Sequence, residues 1–244
     1  MEEYFVVKFD MDPWTPDGLT DESRCYWRGR ASVRLVGDEE EGEDKDVEVG
    51  HAIFGVCIPQ LGSSHMDTVI ECDAVSQDVY EFAEIFYNPS IRRSRSWLRK
   101  NVDHWDEDCA SLLIEDIWIN PDHRRKSLCP TLLRAIVDTY GYGCMICAMS
   151  AVPHPEGDPR VWDKALPSVA KFVDYMRRIG FQQMLDTSWV VADLHLRNEI
   201  LRRALSRVIL RKPAKVRTLS FFKDDDPEPA GREKAPPATP PTAT

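Results

Sequence analysis

Apolar positions recur along this chain at two spacings, and the switches between them lay out a mixed α/β protein. Residues 4–9 alternate between apolar and polar, 31–36 do the same, and 47–58 add a longer run, so three strands are predicted early in the chain. Between the last two, residues 38–46 are nearly all acidic and read as a solvated hairpin loop that could also attract a cation. From 73 to 87 the period changes. Val75, Val79, Phe82, Ala83 and Phe86 share one helical stripe, with Asp73 as its N-cap and Pro89 closing it. A second helix is predicted over 92–102, where Arg92, Arg93, Arg95, Arg99 and Lys100 form a solvated basic face.

Residues 111–121 are rich in β-branched and aromatic side chains and end at Pro121, a strand. Leu132, Leu133, Ile136, Val137 and Tyr140 then line one side of a helix over 130–140, with Pro130 in its first turn and Gly141 at its stop. The short apolar run 144–152 reads as a buried strand. Four prolines and no hydrophobic period make 153–167 a long loop of the kind that often serves as a lid. Ser168 caps a helix bearing Val169, Phe172, Val173 and Met176 that stops at Gly180, and 189–194 is a further strand. Residues 195–212 form a basic amphipathic helix with Leu201, Leu205, Val208 and Ile209 apolar; beyond Phe222 the chain is acidic, then rich in Pro, Ala and Thr.

With 244 residues and 43% apolar content, the chain can bury one substantial core. Residues 1–221 are read as a single domain and 222–244 as a disordered tail. Charge refines the picture. Between 196 and 217 eight basic residues face Glu199 alone, which leaves +7 there and −17 on the remainder of a chain whose total is −10. An acidic body disfavours nucleic acid and favours a cationic substrate such as an amine. The basic helix packs its stripe on the domain or meets an acidic partner or membrane surface. It lacks the interleaved aromatics expected of a nucleic-acid binder. No apolar run reaches the roughly 18 residues of a membrane span, and the start of the chain lacks a signal-peptide layout, so a cytoplasmic location is expected. Seven cysteines, an odd number, suit reduced thiols. Cys144 and Cys147 form a CxxC, but alternation along a strand would send them to opposite faces, and no second pair completes a site; no metal site is predicted.

The stretch Ile114-Glu-Asp-Ile-Trp-Ile-Asn-Pro-Asp-His-Arg-Arg-Lys-Ser-Leu-Cys-Pro-Thr-Leu-Leu133 resembles the signature segment of the GNAT superfamily of N-acetyltransferases. In that family a strand ends near a proline and an Arg/Gln-x-x-Gly-x-Gly/Ala turn opens a helix. Arg124 matches the first position, Ser127 and Cys129 stand where the glycines usually do, and Leu132 and Leu133 match the helix's apolar pair. The resemblance implies an acyl-CoA N-acyltransferase (GNAT-like) fold, a mixed central β-sheet flanked by helices, with acetyl-CoA as cosubstrate. Its pyrophosphate would meet the turn formed by Arg124, Arg125, Lys126, Ser127, Leu128 and Cys129, and its pantetheine arm the backbone near Trp118 and Ile119. A turn of this kind aims backbone N–H groups and a helix N-terminus at phosphate. Serine and cysteine allow close approach as long as neither needs a positive φ, while Pro130 removes one donor.

A second similarity covers 169–181, which resembles the family's later helix ending in a Gly-Phe pair, here Gly180-Phe181. The family often has a tyrosine four residues before that glycine, acting as general acid toward the CoA thiolate. That position is Met176; its neighbour Tyr175 is the candidate acid, turned about 100° around the helix. Glu115 is the candidate base, with Asp116 expected on the opposite face of the strand. His123 and His154 are further loop candidates. Two functions follow: transfer of an acetyl group to a small-molecule or protein amine, or a catalytically impaired binding or scaffold module. The acceptor and the oligomeric state are not readable from the residues.

Overall fold

The computed structural model describes residues 4–12, 25–36, 46–59, 64–151, 162–185, 187–194 and 216–218, together with helical positions 201, 203, 205–207 and 209. The order is β1 (Tyr4–Asp12), β2 (Tyr26–Val36), β3 (Val47–Cys57), α1 (His65–Asp73), α2 (Gln77–Tyr87), α3 (Arg92–Asn101), β4 (Ala110–Ile119), α4 (Leu128–Tyr140), β5 (Cys144–Ser150), α5 (Trp162–Arg178), β6 (Gln182–Gln183), β7 (Trp189–Asp193) and β8 (Val216–Thr218). The strands form one mixed sheet in the order β6-β7-β5-β4-β3-β2-β1-β8. β1 to β4 are antiparallel neighbours, β4 and β5 run parallel across the α4 crossover, and β7 returns antiparallel to β5.

Helices cover both faces. On one, Leu132, Leu133 and Ile136 of α4 and Val173 and Met176 of α5 pack with Phe54, Ile114 and Val190 of the sheet. On the other, Val79, Phe82 and Phe86 of α2 and Leu98 of α3 bury against Leu113, Ile146 and Trp189. Burying a leucine or phenylalanine side chain contributes about 1.5–3 kcal/mol. Leu201 and Leu205 are buried in the α4–α5 core, so the stripe of the basic helix packs on the domain where it is described. All seven cysteines are free thiols. The expected tail, most of the acidic loop and His154 lie outside the described residues.

Four local expectations need correction. The helix predicted over 73–87 is α2, which starts later, at Gln77, and a further helix, α1, precedes it: Ser64 caps α1 by accepting from the Asp67 N–H (3.2 Å) and Ser76 caps α2 by accepting from the Val79 N–H (3.3 Å). Asp73 ends α1 instead of starting a helix. The hidden helix buries Thr68, Val69 and Cys72 while Met66 and Ile70 point outward, so it carries no apolar stripe to read. α5 starts at Trp162, so Ser168 lies inside it instead of capping it.

The other two corrections come from bulges. Ile53 opposes Asp116 while Phe54 opposes Ile114, so Glu115 is an extra residue in β4. Ile114 and Ile117 both pack on the α4–α5 core, which sends Glu115 and Asp116 to the same, opposite face. Likewise Ala110 opposes Cys144 and Ser111 opposes Ile146, so Met145 is extra in β5. Cys144 and Cys147 therefore share a face and the same core. An inserted residue resets the two-residue alternation.

Candidate functional site

The site is set by where β4 and β5 part. Their parallel pairing ends at Ile114 and Met149, and β5 keeps to β7, with the Ala151 N–H donating to Ser188 O (2.8 Å). β4 continues to Ile119 against β3 alone among the described residues. Among the described residues, a slot thus opens between the two strands beside residues 115–119.

At the end of β4 the chain turns tightly. Asn120 accepts from the Asp122 N–H (3.0 Å) and opens a 3-10 turn over Pro121–His123, and Arg124 Nε donates back to Ile119 O (3.1 Å). Arg125 (φ 65°) and Ser127 (φ 59°) then take left-handed conformations. The condition set for close approach, that neither small residue take a positive φ, is not met at Ser127; such a conformation costs an L-residue about 1–2 kcal/mol. Cys129 escapes it, being inside α4. Ser127 is the N-cap of α4 but makes no side-chain cap bond, and the first turn has no acidic residue. The N–H groups and positive dipole end of such a helix suit an anion.

Between this turn, the end of β4 and α5 lies a cavity of about 1070 Å³. Ile117, Trp118, Ile119 and His123 line it from the strand and turn, and Phe172, Tyr175 and Ile179 from α5. Four arginines stand on its wall: Arg124, Arg125, Arg178 and Arg207. Of the residues expected to hold a cofactor, Trp118, Ile119, Arg124, Arg125, Ser127, Leu128 and Cys129 are on the lining. Lys126 is not. Its Nζ lies 3.3 Å from His123 Nδ1 and 5.8 Å from the centre of the Phe5 ring.

Tyr175 lies on this wall without any shift of the helix, whereas Met176 is fully buried in the core. Its phenol is held well above the ordinary range, first by burial and then by the neighbouring Cys129 thiol. Burial pushes Cys129 itself up to about 12. Tyr175 therefore keeps its proton at neutral pH.

Glu115 sits across the sheet from the cavity. Arg28 grips both its oxygens, Nε to Oε1 at 3.0 Å and Nη2 to Oε2 at 2.8 Å, and the Tyr26 hydroxyl donates to Oε1 at 2.9 Å. Gly55 makes room for the Tyr26 ring: a Cβ there would stand 2.1 Å from it. Burial raises the Glu115 pKa, opposed by Arg28 and Tyr26. Asp116, beside it, is exposed and lies 3.8 Å from His51 Nε2, while the His51 ring stacks on Trp118.

Arg178 and Arg207 are the wall residues that the sequence does not announce. Arg178 reaches the cavity from the end of α5 and Arg207 from the helical positions described over 201–209; the only local signal is the basic last turn of α5, Arg177 and Arg178. Also unannounced, Cys25, Cys57 and Cys72 come from three separate segments, and their sulfurs lie within 4.8 Å of one another.

Fold and site define a mixed α/β protein with one helix-flanked sheet and a cationic cavity where two parallel strands separate. No family model matches the chain, and no curated protein matches it. Among solved structures, that of a point mutant of KacT is similar over 74% of this chain and 75% of that chain, at 9% identity and a TM-score of 0.37. Among the described residues, no helix is long and apolar enough to cross a membrane.

Proposed function

We propose that the chain adopts a GNAT-like fold and transfers an acyl group, acetyl foremost, from coenzyme A to an amine. The observation that carries this reading is the β4–β5 slot opening beside an uncapped helix N-terminus walled by four arginines. The residues present fit the cosubstrate. Backbone N–H groups and guanidinium groups suit a pyrophosphate, and the strand edge beside 115–119 suits the amides of a pantetheine arm. An arm in the slot has the cavity on one side and the face bearing Glu115 and Asp116 on the other. Acyl-CoA would bring the activated thioester. The chain would align an amine with it, and Tyr175 would supply a proton to the leaving thiolate.

A second reading, a binding module without turnover, is favoured by the Arg28–Glu115 ion pair, which occupies both oxygens of the candidate base. Calorimetric titration with acetyl-CoA tests the first, followed by thiol release across an amine panel. Absence of binding at millimolar ligand overturns the first reading; binding without thiol release favours the module.

A further inference from the structure

Beneath α1, on the sheet face away from the cavity, three thiols meet. Cys25 precedes β2, Cys57 ends β3 and Cys72 lies on α1; all are fully buried, with every sulfur pair within 4.8 Å. The scaffold beneath them is stiff: Tyr26 opposes Cys57 in the β2–β3 ladder, and the Ile58 N–H donates to Cys25 O at 2.7 Å. Buried cysteines commonly behave as small apolar side chains, and a hydrophobic role alone would leave the surroundings apolar. They are not. Glu71, the residue before Cys72, holds a carboxylate oxygen 2.9 Å from the Cys25 N–H. Tyr87 Oη and Ser111 Oγ, both fully buried, make no hydrogen bond of ordinary geometry. Ser111 is the cross-strand partner of Cys57, and the Tyr87 hydroxyl neighbours both Ser111 and Cys57.

We propose that Cys25, Cys57 and Cys72 bind one thiophilic divalent cation, zinc by the donor set, with the Glu71 carboxylate as fourth donor. Tetrahedral thiolate zinc has Zn–S bonds of about 2.3 Å and so sulfur separations of about 3.8 Å, which asks for a contraction of about 1 Å at most among the three sulfurs; the Glu71 carboxylate, outside that cluster, would have to move in to complete the set. Binding forms three Zn–S bonds and releases three thiol protons to solvent. The Tyr87 and Ser111 hydroxyls then have a thiolate to donate to, the outer-shell arrangement that orients metal ligands. This site is independent of the acyl-transfer reading.

The test uses the full chain, reduced, stripped with chelator and titrated with cobalt(II). One equivalent should bind with a sulfur-to-cobalt charge-transfer band in the near ultraviolet and the strong visible bands of tetrahedral coordination, and zinc should abolish both. Cys57→Ser or Cys72→Ser should weaken the bands, while Cys144→Ser, which alters a thiol in the other core, should leave them. Weak octahedral-type absorption in the unmutated chain overturns the site whether or not the variants fold. A disulfide among the three thiols, found by mass spectrometry in protein made without reductant, overturns it too. Unchanged metal affinity in Glu71→Gln removes Glu71 as fourth donor.

Discussion

Arg28 and Glu115 are joined by two parallel hydrogen bonds across the sheet, the arginine on β2 and the carboxylate on the bulge of β4. Only 4% of the Glu115 side chain is exposed, against 35% for Arg28, so the pair is anchored at its buried end. Removing the cation strands a buried carboxylate, which costs several times what a surface ion pair is worth. Arg28→Ala is expected to lower stability by about 2–4 kcal/mol, read from urea unfolding. A loss below about 1 kcal/mol, the size of a surface pair, would show that solvent reaches Glu115 freely.

The same carboxyl makes stability depend on pH. Burial holds its folded pKa above the ordinary value, so the folded chain binds this proton more tightly than the unfolded one. Its contribution is greatest below the ordinary glutamate pKa of about 4.3 and is lost as pH rises through the raised folded value. With chelator present, the stability of the unmutated chain relative to Glu115→Gln should fall as pH rises above about 4. A relative stability that rises over this range would mean that Arg28 outweighs burial.

Arg124 and Arg178 test the cavity as an anion site. Each to alanine should weaken acetyl-CoA binding about tenfold, equivalent to about 1.4 kcal/mol, and flatten its dependence on salt. Lys126→Ala, whose side chain lies off the lining, should change affinity little. Equal effects from all three would point to general surface charge instead of a site.

Tyr175 gives the kinetic prediction. Tyr175→Phe keeps the ring on the wall and removes the proton, so kcat should fall by about 100-fold or more with Kd for acetyl-CoA nearly unchanged. An unaltered kcat would exclude the phenol as proton donor.

Ser127 gives a prediction in the stabilising direction. Ser127→Gly relieves a left-handed serine and should raise stability by up to about 1 kcal/mol, a shift of about 2–4 °C in Tm for a chain of this size. No shift would mean that the serine side chain's interactions offset the strain.

The strands and most helices were legible because their periods are strong: the stripe of Leu132, Leu133, Ile136 and Val137 lies on α4 and is fully buried. The turn from Asn120 to Cys129 was legible as well, since its proline, arginines and small residues act locally. Alternation failed twice for one reason. Each bulge, at Glu115 and at Met145, reverses the facing of everything beyond it, and nothing in a single strand's residue order marks an insertion defined by the partner's register. The converging cysteines and the Arg178–Arg207 wall were invisible because they exist only once distant segments pack.

The pairing of β8 with β1 bears on how the chain is made. Val216–Thr218 run beside Phe5, Val6 and Val7, joining segments from near opposite ends of the sequence. During synthesis, this hydrogen-bonding edge of β1 stays open until residues 216–218 have left the ribosome. An open edge invites pairing with other chains, so a chain cut short before 216 would expose, on an otherwise assembled sheet, a row of unpaired backbone groups ready to recruit its neighbours.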